Sequence, residues 1–405
     1  MASEPSDAQR VPWTEAGDIP LPASAQSVQI LNRDEPLFVR PTSEAKPRGS
    51  ALKGARLPLY AARRGPGCRG RWLMVGPVAW VCEDRVELSQ RPAWKPQVPS
   101  PATSDGLPFR YFFAGRDGTF GYAELALAEE GIPDAQLEPG FAVAVVRIAD
   151  RRGGDPFGLT SRGLWIPMRD LIPARRVEFS GQPLEDGSLA VAWVHNTSAP
   201  VYESPGGRRA HAPPRSQFDR LIVLETAKRG PHRWFRVGER QWVSDRHVRA
   251  PTAASTPGGL RPGERWIDVD TKNQIATAYE GERPVFATLV STGRGPGNSV
   301  LATPKGQFRI WVKLLASDMD NLEDPEANRL YAIQDVPWVM YFKRGYGLHG
   351  TFWHQRFGNV QSHGCVNLAP LDAERLFHWS RPRLPAGWSA VLPTHYERGT
   401  LVRVR

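Results

Sequence analysis

The most informative part of the chain is Ser362-His363-Gly364-Cys365-Val366-Asn367, which follows Tyr346-Gly347-Leu348-His349-Gly350-Thr351 after a short loop. A thiol is a weak nucleophile at neutral pH unless a base or a positive charge draws off its proton. Two histidines, His349 and His363, lie near Cys365 in the sequence. The glycine before the cysteine allows the backbone to approach a substrate carbonyl closely. The pattern therefore indicates a cysteine nucleophile paired with an imidazole base.

The backbone beside Cys365 can also stabilise the negative charge that develops during such a reaction. We expect the N–H groups of Gly364 and Cys365 to point at an oxyanion, and the side chain of Asn367 to hold the turn. A lone buried cysteine is usually inert, and a lone histidine is usually a surface or capping residue. Three histidines, three glycines and a cysteine between positions 349 and 365 favour an active site.

A metal site is the alternative interpretation of the same residues. His349, His354, His363 and Cys365 all belong to residue types that bind zinc. Their spacing matches no standard zinc finger, and a zinc-bound thiolate would be masked as a nucleophile. We therefore predict no metal.

The hexapeptide at 362–367, preceded by His-Gly at 349–350, resembles the signature of YkuD-type L,D-transpeptidases. The resemblance covers about residues 265–392 and includes the turn Thr303-Pro304-x-Gly306-x-Phe308. It implies a C-terminal YkuD-like β-sandwich with a short helix. It makes Cys365 the nucleophile and His349 the base, whose imidazole is held by the Gly350 carbonyl. The same resemblance assigns the oxyanion and supporting roles to Gly364, His363, Ser362 and Asn367. The gap from His349 to Ser362 is short for the family, which trims the loop over the site.

The resemblance also implies the reaction. Cys365 would form a thioester with the third residue of a peptidoglycan tetrapeptide stem and release D-Ala, and an amine of a second stem would complete a 3-3 cross-link. Water as the acceptor would make the protein an L,D-carboxypeptidase, and a protein amine would make it an enzyme that attaches or detaches an envelope lipoprotein. The chemistry needs no metal or organic cofactor. A catalytically silent wall-binding protein is the remaining alternative.

Several residues near the motif could line a groove for the stem peptide, although core packing is the commoner role of such side chains. Trp353 and His354 are the best candidates because they stand in the loop between the two catalytic segments. The full candidate set for substrate binding is Tyr341, Tyr346, Trp353, His354 and Met340.

The rest of the chain predicts a mainly β protein with small barrels before the catalytic domain. Tryptophan strands recur with a Gly-containing loop before them, as in Arg71-Trp72-Leu73-Met74-Val75 and Arg233-Trp234-Phe235-Arg236-Val237. These repeats resemble bacterial Src-homology-3-like domains, which often bind wall peptides or glycans. The predicted layout is a flexible leader 1–27, modules 28–95, 100–177 and 186–252, a linker 253–264, a catalytic domain 265–395 and a basic tail 396–405.

The catalytic domain itself shows a strand pattern followed by one helix. Alternating apolar residues at 266–270, 275–279 and 284–291, separated by turns, predict a β-meander. A helix is predicted from about Pro370 to Trp379, because proline suits the first helical position and the leucines and phenylalanine form an apolar side.

Composition restricts the partners. The 405 residues carry a formal net charge of +10, scattered in short arginine groups without a nucleic-acid motif. We therefore predict donor and acceptor stem peptides as partners, and no nucleic acid. No stretch reaches the length of a transmembrane helix, so no membrane span is expected.

The state of the N-terminal cysteines is informative about the cellular compartment of the protein. Cys68 and Cys82 could form a disulfide, or both could be free thiols. The polar start of the sequence has no apolar signal core. The expected location is the periplasm or cell envelope, with the signal peptide not present in this sequence.

Overall fold

The chain is built almost entirely of β-strands, as predicted. A computed structural model describes residues 17–95, 105–151, 154–297, 299–323 and 331–405. Short strands separated by glycine and proline turns are what the 38 glycines, 38 prolines and frequent tryptophans favour.

The strands and helices occur in four successive groups. The first is β1 Ser27–Ile30, β2 Glu35–Phe38, β3 Pro47–Ala51, β4 Arg56–Pro58, β5 Ala61–Arg63, β6 Trp72–Gly76, β7 Ala79–Cys82 and β8 Val86–Ser89. The second is β9 Arg110–Ala114, β10 Thr119–Gly121, α1 Leu125–Glu130, β11 Ala135–Leu137, β12 Ala142–Arg151, β13 Gly154–Thr160, β14 Trp165–Pro167 and β15 Leu171–Pro173. The third is β16 Gln182–Pro183, β17 Val191–Val194, β18 Ser198–Ala199, β19 Arg215–Ser216, β20 Arg220–Ile222, β21 Glu225–Arg229, β22 His232–Gly238, β23 Gln241–Ser244 and β24 Val248–Arg249. The last is β25 Arg265–Asp270, β26 Ile275–Glu280, β27 Arg283–Ser291, β28 Gly306–Arg309, β29 Val312–Asp320, β30 Ala332–Lys343, β31 Tyr346–Gly350, β32 Val366–Leu368, α2 Pro370–Trp379, β33 Trp388–Val391 and β34 Leu401–Val404.

The described residues divide into two compact units. The first unit contains residues up to 95 together with 309–315 and 378–400, and the second contains 105–308, 316–377 and 401–405 apart from the gaps given above. The predicted boundary at residue 265 does not anticipate that two later segments join the first unit.

In the first unit, β33 completes a sheet begun by the N-terminal strands. It pairs antiparallel with β3, with Ser50 opposite Ala390, and β3 pairs in turn with β2. Trp388 of β33 is buried in the same apolar core as Leu73 and Val75. Residues 28–95 therefore share their core with a C-terminal strand, which local sequence patterns cannot reveal because the partners are distant in the chain.

The predicted flexible leader is wrong for its described part. The N–H groups of Asp18 and Ile19 donate to the Ala62 carbonyl, and Ile19 and Leu21 pack on the core of the first unit. Apolar residues spaced through a proline-rich stretch thus attach it to the sheet. Residues 1–16 of the leader lie outside the described residues, as do 100–104 of the second predicted module.

The two N-terminal cysteines form a disulfide, which decides between the alternatives that the sequence left open. Cys82 ends β7, and Cys68 lies in the loop before β6. The bond is adjacent to the buried rings of Trp72 and Trp80. It therefore connects the loop before β6 to the end of β7, the strand that pairs with β6.

In the second unit, the predicted meander is confirmed as β25, β26 and β27, which pair antiparallel in order. Helix α2 has the predicted bounds, Pro370–Trp379. Strand β30 pairs with β31, and β31 pairs in parallel with β32. The last pairing brings the two segments of the sequence motif side by side.

The predicted basic tail is instead part of this sheet. Strand β34 pairs in parallel with β25, and Leu401, Val402 and Val404 are buried. The buried carboxylate of Asp268 accepts from Arg403 at 2.6 Å and from Arg405 at 2.8 Å. The two arginines of the predicted tail are thus paired with acids of β25, Arg403 with Asp268 and Arg405 with both Asp268 and Asp270.

The linker 253–264 contains no helix or strand, in agreement with its turn-rich sequence. It is nevertheless packed, because Ala254 and Leu260 contact the core around Trp266 and Tyr279. Within the described ranges, no helix combines the length and apolar character that a bilayer crossing requires.

Candidate active site

His349 lies near the end of β31, with its imidazole enclosed by the fold. The residue is 2% exposed, and its Nδ1 lies 3.1 Å from the Gly350 carbonyl oxygen. Because a carbonyl can only accept, Nδ1 carries the hydrogen and Nε2 is left as the basic nitrogen. Burial lowers the pKa of His349 to about 4, and the Gly350 carbonyl opposes this only in part. The ring is therefore a neutral base at physiological pH.

Cys365 is half-buried, immediately before β32, and takes no part in the disulfide. Its Sγ lies 3.6 Å from the Gly345 carbonyl oxygen and also contacts the Gly347 N–H. Burial raises the pKa of the thiol, and the Gly347 N–H opposes that rise. The sulfur is thus mostly protonated at neutral pH and needs a base to become a nucleophile.

Strand pairing brings the segments that carry the two groups side by side. In the parallel pair β31–β32, Leu348 is opposite Val366 and His349 is opposite Asn367. Cys365 lies in the bend directly before β32, so the nucleophile precedes the strand that is paired with the strand of His349.

Ser362 holds the turn that carries the nucleophile. Its Oγ accepts the Gly364 N–H at 3.1 Å and donates to the Cys365 carbonyl at 2.5 Å. The expectation that the Gly364 N–H faces an oxyanion is therefore wrong, since Ser362 already occupies it. The turn is held by Ser362 rather than by Asn367, because the serine hydroxyl can reach both backbone groups.

Thr303 also holds the turn that carries the nucleophile. It belongs to the segment Thr303-Pro304-x-Gly306-x-Phe308, to which the sequence resemblance assigned no function. Its hydroxyl donates to the Gly364 carbonyl at 2.8 Å and accepts the Gly293 N–H at 2.8 Å. Gly364 has φ +123°, and a Cβ there would lie 2.6 Å from the Tyr346 ring. Only glycine fits this backbone beside the tyrosine.

Asn367 contacts the loop between the catalytic segments. Its Nδ2 lies 2.9 Å from Nε2 of His354, whose Nδ1 accepts the Arg356 N–H. Burial and the nearby His349 lower the pKa of His354 to about 4. His354 is thus a neutral acceptor that connects the loop to β32.

The remaining candidate substrate residues separate into surface and core. Trp353 is half-buried and stacks on His349, with ring centroids 5.8 Å apart. Tyr341 is half-buried, and its pKa is raised by burial and also by the charge of a Cys365 thiolate, so the two lie close together. Tyr346 donates to the Val300 carbonyl at 3.1 Å. Met340 is fully buried opposite Leu348, so its predicted substrate contact is wrong and it belongs to the core.

Two residues beside Cys365 were not anticipated from the sequence. Arg294 donates to Nε2 of His363 at 2.7 Å, and Tyr331 stacks on the His363 ring at 5.5 Å. Burial and Arg294 lower the pKa of His363, which keeps this ring neutral. Arg294 is 69 residues from His363 in the chain, and its only local signal is the glycines on either side.

The loop 351–361 is held by residues from the second and third predicted modules. Tyr111 stacks on Phe352 at 4.1 Å. Nε of Arg249 donates to the Gly358 carbonyl at 3.1 Å, and Nδ1 of His195 lies 3.0 Å from Oδ1 of Asn359. The loop beside the candidate base is therefore positioned by parts of the chain outside the motif.

Comparison with known proteins identifies the class of this domain. The family model described as the YkuD L,D-transpeptidase catalytic domain matches residues 264–404. This part of the chain is therefore a YkuD-type L,D-transpeptidase catalytic domain, of a family that acts on peptidoglycan stem peptides in the cell envelope. None of the curated proteins matches the chain.

Solved structures of L,D-transpeptidases are among those to which the chain is similar. The catalytic domain from Enterococcus faecium is 24% identical, with 36% of this chain and 100% of that chain covered and a TM-score of 0.27. The enzyme from Stackebrandtia nassauensis is 26% identical, with 35% and 55% covered and a TM-score of 0.24. L,D-transpeptidase 3 from Mycobacterium tuberculosis is 19% identical, with 43% and 78% covered and a TM-score of 0.28.

Proposed function

We propose that the protein is a cysteine acyltransferase that forms 3-3 cross-links in peptidoglycan and releases D-Ala from a tetrapeptide stem. The observation that carries this proposal is the pair formed by Cys365 and His349. The proposal is supported by a free thiol directly before β32 and a neutral imidazole in β31, the strand paired with β32, inside a domain of the L,D-transpeptidase family.

In the first half-reaction, the Cys365 sulfur attacks the carbonyl carbon of the third stem residue, and Nε2 of His349 accepts the thiol proton. The tetrahedral intermediate then collapses: the C–N bond to D-Ala breaks, and the His349 imidazolium protonates the leaving amine. A thioester remains on Cys365. Taking the proton as the C–S bond forms avoids a free thiolate, whose formation burial disfavours.

In the second half-reaction, a neutral amine of another stem attacks the thioester carbonyl and gives its proton to His349. The C–S bond breaks, and the proton returns to the departing sulfur. Water in place of the amine gives a shortened stem, and a protein amine gives attachment of an envelope lipoprotein. The sequence of proton transfers is the same for all three acceptors.

We assign oxyanion stabilisation to the Cys365 N–H, because the Gly364 N–H donates to Ser362. His363, Ser362 and Gly364 shape the turn around that amide. Trp353 and Tyr341 flank the pair and are the residues proposed to contact the stem peptide.

Arg294 is proposed to recognise the C-terminal end of the donor stem peptide. Its side chain is held against His363 beside the nucleophile, and the residue is exposed. A guanidinium is well suited to bind a carboxylate. We assign it to the terminal carboxylate of the D-Ala that leaves.

The compartment proposed is the periplasm or cell envelope. The Cys68–Cys82 disulfide supports an oxidising location, where the substrate also lies. Residues 28–95, 100–177 and 186–252 remain proposed as Src-homology-3-like modules that bind the wall.

The test is mass spectrometry of muropeptides after incubation of the full chain with isolated sacculi. New 3-3 dimers support the proposal, shortened tripeptides indicate a carboxypeptidase, and released protein tails indicate a lipoprotein-processing enzyme. All products should disappear with Cys365→Ala and with His349→Ala. Product formation by either variant contradicts the assigned roles.

A second measurement separates an enzyme from a catalytically silent wall-binding protein. An electrophilic carbapenem should acylate the wild-type chain and add its mass to the peptide that contains Cys365. Cys365→Ala should take up none. An unlabelled wild type would favour the silent binder.

A further inference from the structure

A cavity of about 610 Å³ opens on the first unit, apart from the residues proposed for catalysis. Its walls come from three chain segments: the turn between β2 and β3, residues 309–311, and residues 392–399. All three segments belong to the first unit. The cavity has the size of an ordinary ligand site.

The charged side chains that line this cavity are positive. Lys46, Arg309 and Arg398 line it, and among the described residues that line it none has a carboxylate side chain. The Arg309 guanidinium is oriented by a 2.9 Å bond to the Gly399 carbonyl. Three cations around one concavity favour an anionic ligand.

The same cavity offers an apolar platform beside the cations. Trp311 is 46% exposed, and Pro47 and Pro393 are also part of the lining. An exposed aromatic ring in a cavity binds flat, partly apolar groups such as sugar rings. The ligand chemistry that fits is a sugar polymer with carboxylates close to its rings.

The walls are fixed to one another, so the cavity is largely preformed. The Leu392 N–H donates to the Arg48 carbonyl at 2.9 Å, and the Ile310 N–H donates to the Thr400 carbonyl at 3.0 Å. The buried Arg48 guanidinium donates to the carbonyls of Leu392 and Pro77. A preformed cavity loses little conformational entropy on binding.

We propose that this cavity binds an acidic glycopeptide strand, with a sugar ring against Trp311 and peptide carboxylates on Lys46 and Arg398. The choice of a wall strand as ligand rests on the proposed function, whereas the preference for an anionic sugar polymer rests on the lining residues. The cavity would hold the wall while the catalytic domain acts on a stem.

The test measures binding of fluorescently labelled, soluble, uncross-linked peptidoglycan strands to the full chain by anisotropy. Trp311→Ala and the double variant Lys46→Glu/Arg398→Glu should each weaken binding roughly tenfold or more. Trp94→Ala and Lys53→Glu are matched controls, because Trp94 is 40% exposed and Lys53 is exposed in the same unit. The controls should bind as the wild type does.

Strands whose stem peptides have amidated carboxyl groups should bind more weakly, because they have lost the peptide charges. Equal binding by wild type and both cavity variants overturns the proposal, as does equal weakening by the controls. Duplex DNA or anionic vesicles that bind as tightly, with the same dependence on Trp311, would also overturn it.

Catalysis and binding are separable in this design. Cys365→Ala should bind strands as the wild type does, and the cavity variants should retain turnover of a short soluble tetrapeptide. If no turnover is found but strand binding still depends on Trp311, the proposed function fails and the cavity proposal stands. Unchanged melting temperatures of Trp311→Ala and of Lys46→Glu/Arg398→Glu show that the folded unit was tested.

Discussion

The ring of Tyr111, in the second predicted module, lies stacked on Phe352, with centroids 4.1 Å apart and planes 29° apart. Phe352 contacts Trp353, which in turn stacks on His349. A module residue is thus connected to the candidate base through two aromatic rings. This arrangement makes Tyr111, which lies outside the sequence motif, part of the packing around the candidate base.

Replacing Tyr111 should affect catalysis through this stack. Tyr111→Ala removes a buried ring and should destabilise the second unit by about 3–5 kcal/mol and lower kcat/KM, because Phe352 loses its support. Tyr111→Phe keeps the ring and loses only the bond to the Asp335 carbonyl, 2.6 Å long, which should cost about 1 kcal/mol. Turnover of a soluble tetrapeptide donor, measured well below the melting temperature, checks this.

The control for Tyr111 is Phe120→Ala, since Phe120 lies in the same module and is 46% exposed. It should change neither stability nor turnover. If Tyr111→Ala keeps wild-type kcat/KM, the stack has no part in positioning the base.

The pH profile should reflect a neutral thiol–imidazole pair. Because burial lowers the pKa of His349 to about 4, the base stays unprotonated as the pH falls through 6. We expect the acid limb of kcat/KM near pH 4 rather than near the ordinary histidine value of about 6.5. Circular dichroism at each pH excludes unfolding as the cause. An acid limb at the ordinary value would contradict a buried, neutral base.

Arg294 should determine recognition of the donor carboxylate. Loss of a charge-assisted bond costs about 1.5–3 kcal/mol, so Arg294→Gln should raise KM roughly 10- to 100-fold for a donor with a free terminal carboxylate. A donor with an amidated terminus should be affected little. Arg356→Gln, which alters an exposed arginine of the loop 351–361, serves as the control. Equal effects on both donors would exclude carboxylate recognition by Arg294.

Gly364→Ala should abolish activity through sterics. The new Cβ would lie 2.6 Å from the Tyr346 ring, at φ +123°. The turn must shift, and the Cys365 N–H moves with it. We expect turnover to fall by more than about 100-fold, with uptake of carbapenem slowed in parallel. Gly345→Ala provides a comparison, since a Cβ there meets nothing within 4 Å although its φ is also positive. Comparable loss in both variants would point to backbone strain alone.

Asp372 should make stability depend on pH. Its carboxyl is buried between the Gly181 N–H and the Thr288 hydroxyl, and burial raises its pKa to about 7. The folded state thus holds the proton more tightly than the unfolded state, whose pKa is about 3.9. The protonated Asp372 therefore adds to the free energy of unfolding, by a few kcal/mol at most. This stabilisation is complete below about pH 4 and is lost as the pH rises to about 7.

Asp372→Asn should flatten that dependence, as measured by the melting temperature between pH 4.5 and 8. Glu185→Gln, at an exposed acid in the same unit, should retain the wild-type slope. If the asparagine variant also retains it, Asp372 is not the titrating group.

Local patterns were sufficient for the strands and for the motif. The alternation at 266–270 and 275–279 and the apolar side of 370–379 describe contacts between residues close in the chain, so they predicted β25, β26 and α2 correctly. The spacing of His349 and Cys365 marked the candidate pair for the same reason. The family model that matches 264–404 agrees with the predicted class of this domain, and the pair itself stays a proposal.

Residue order alone was enough to indicate the strand content, the class of the C-terminal domain and the residues proposed for acyl transfer. The folded structure was needed to show that Ser362 occupies the Gly364 N–H, that Met340 is core, that Arg294 joins His363 and that β34 is a strand. Each of these depends on partners that folding brings together or on the direction of one hydrogen bond. Residue order does not encode such contacts locally, because they arise when distant segments bury their apolar faces against each other.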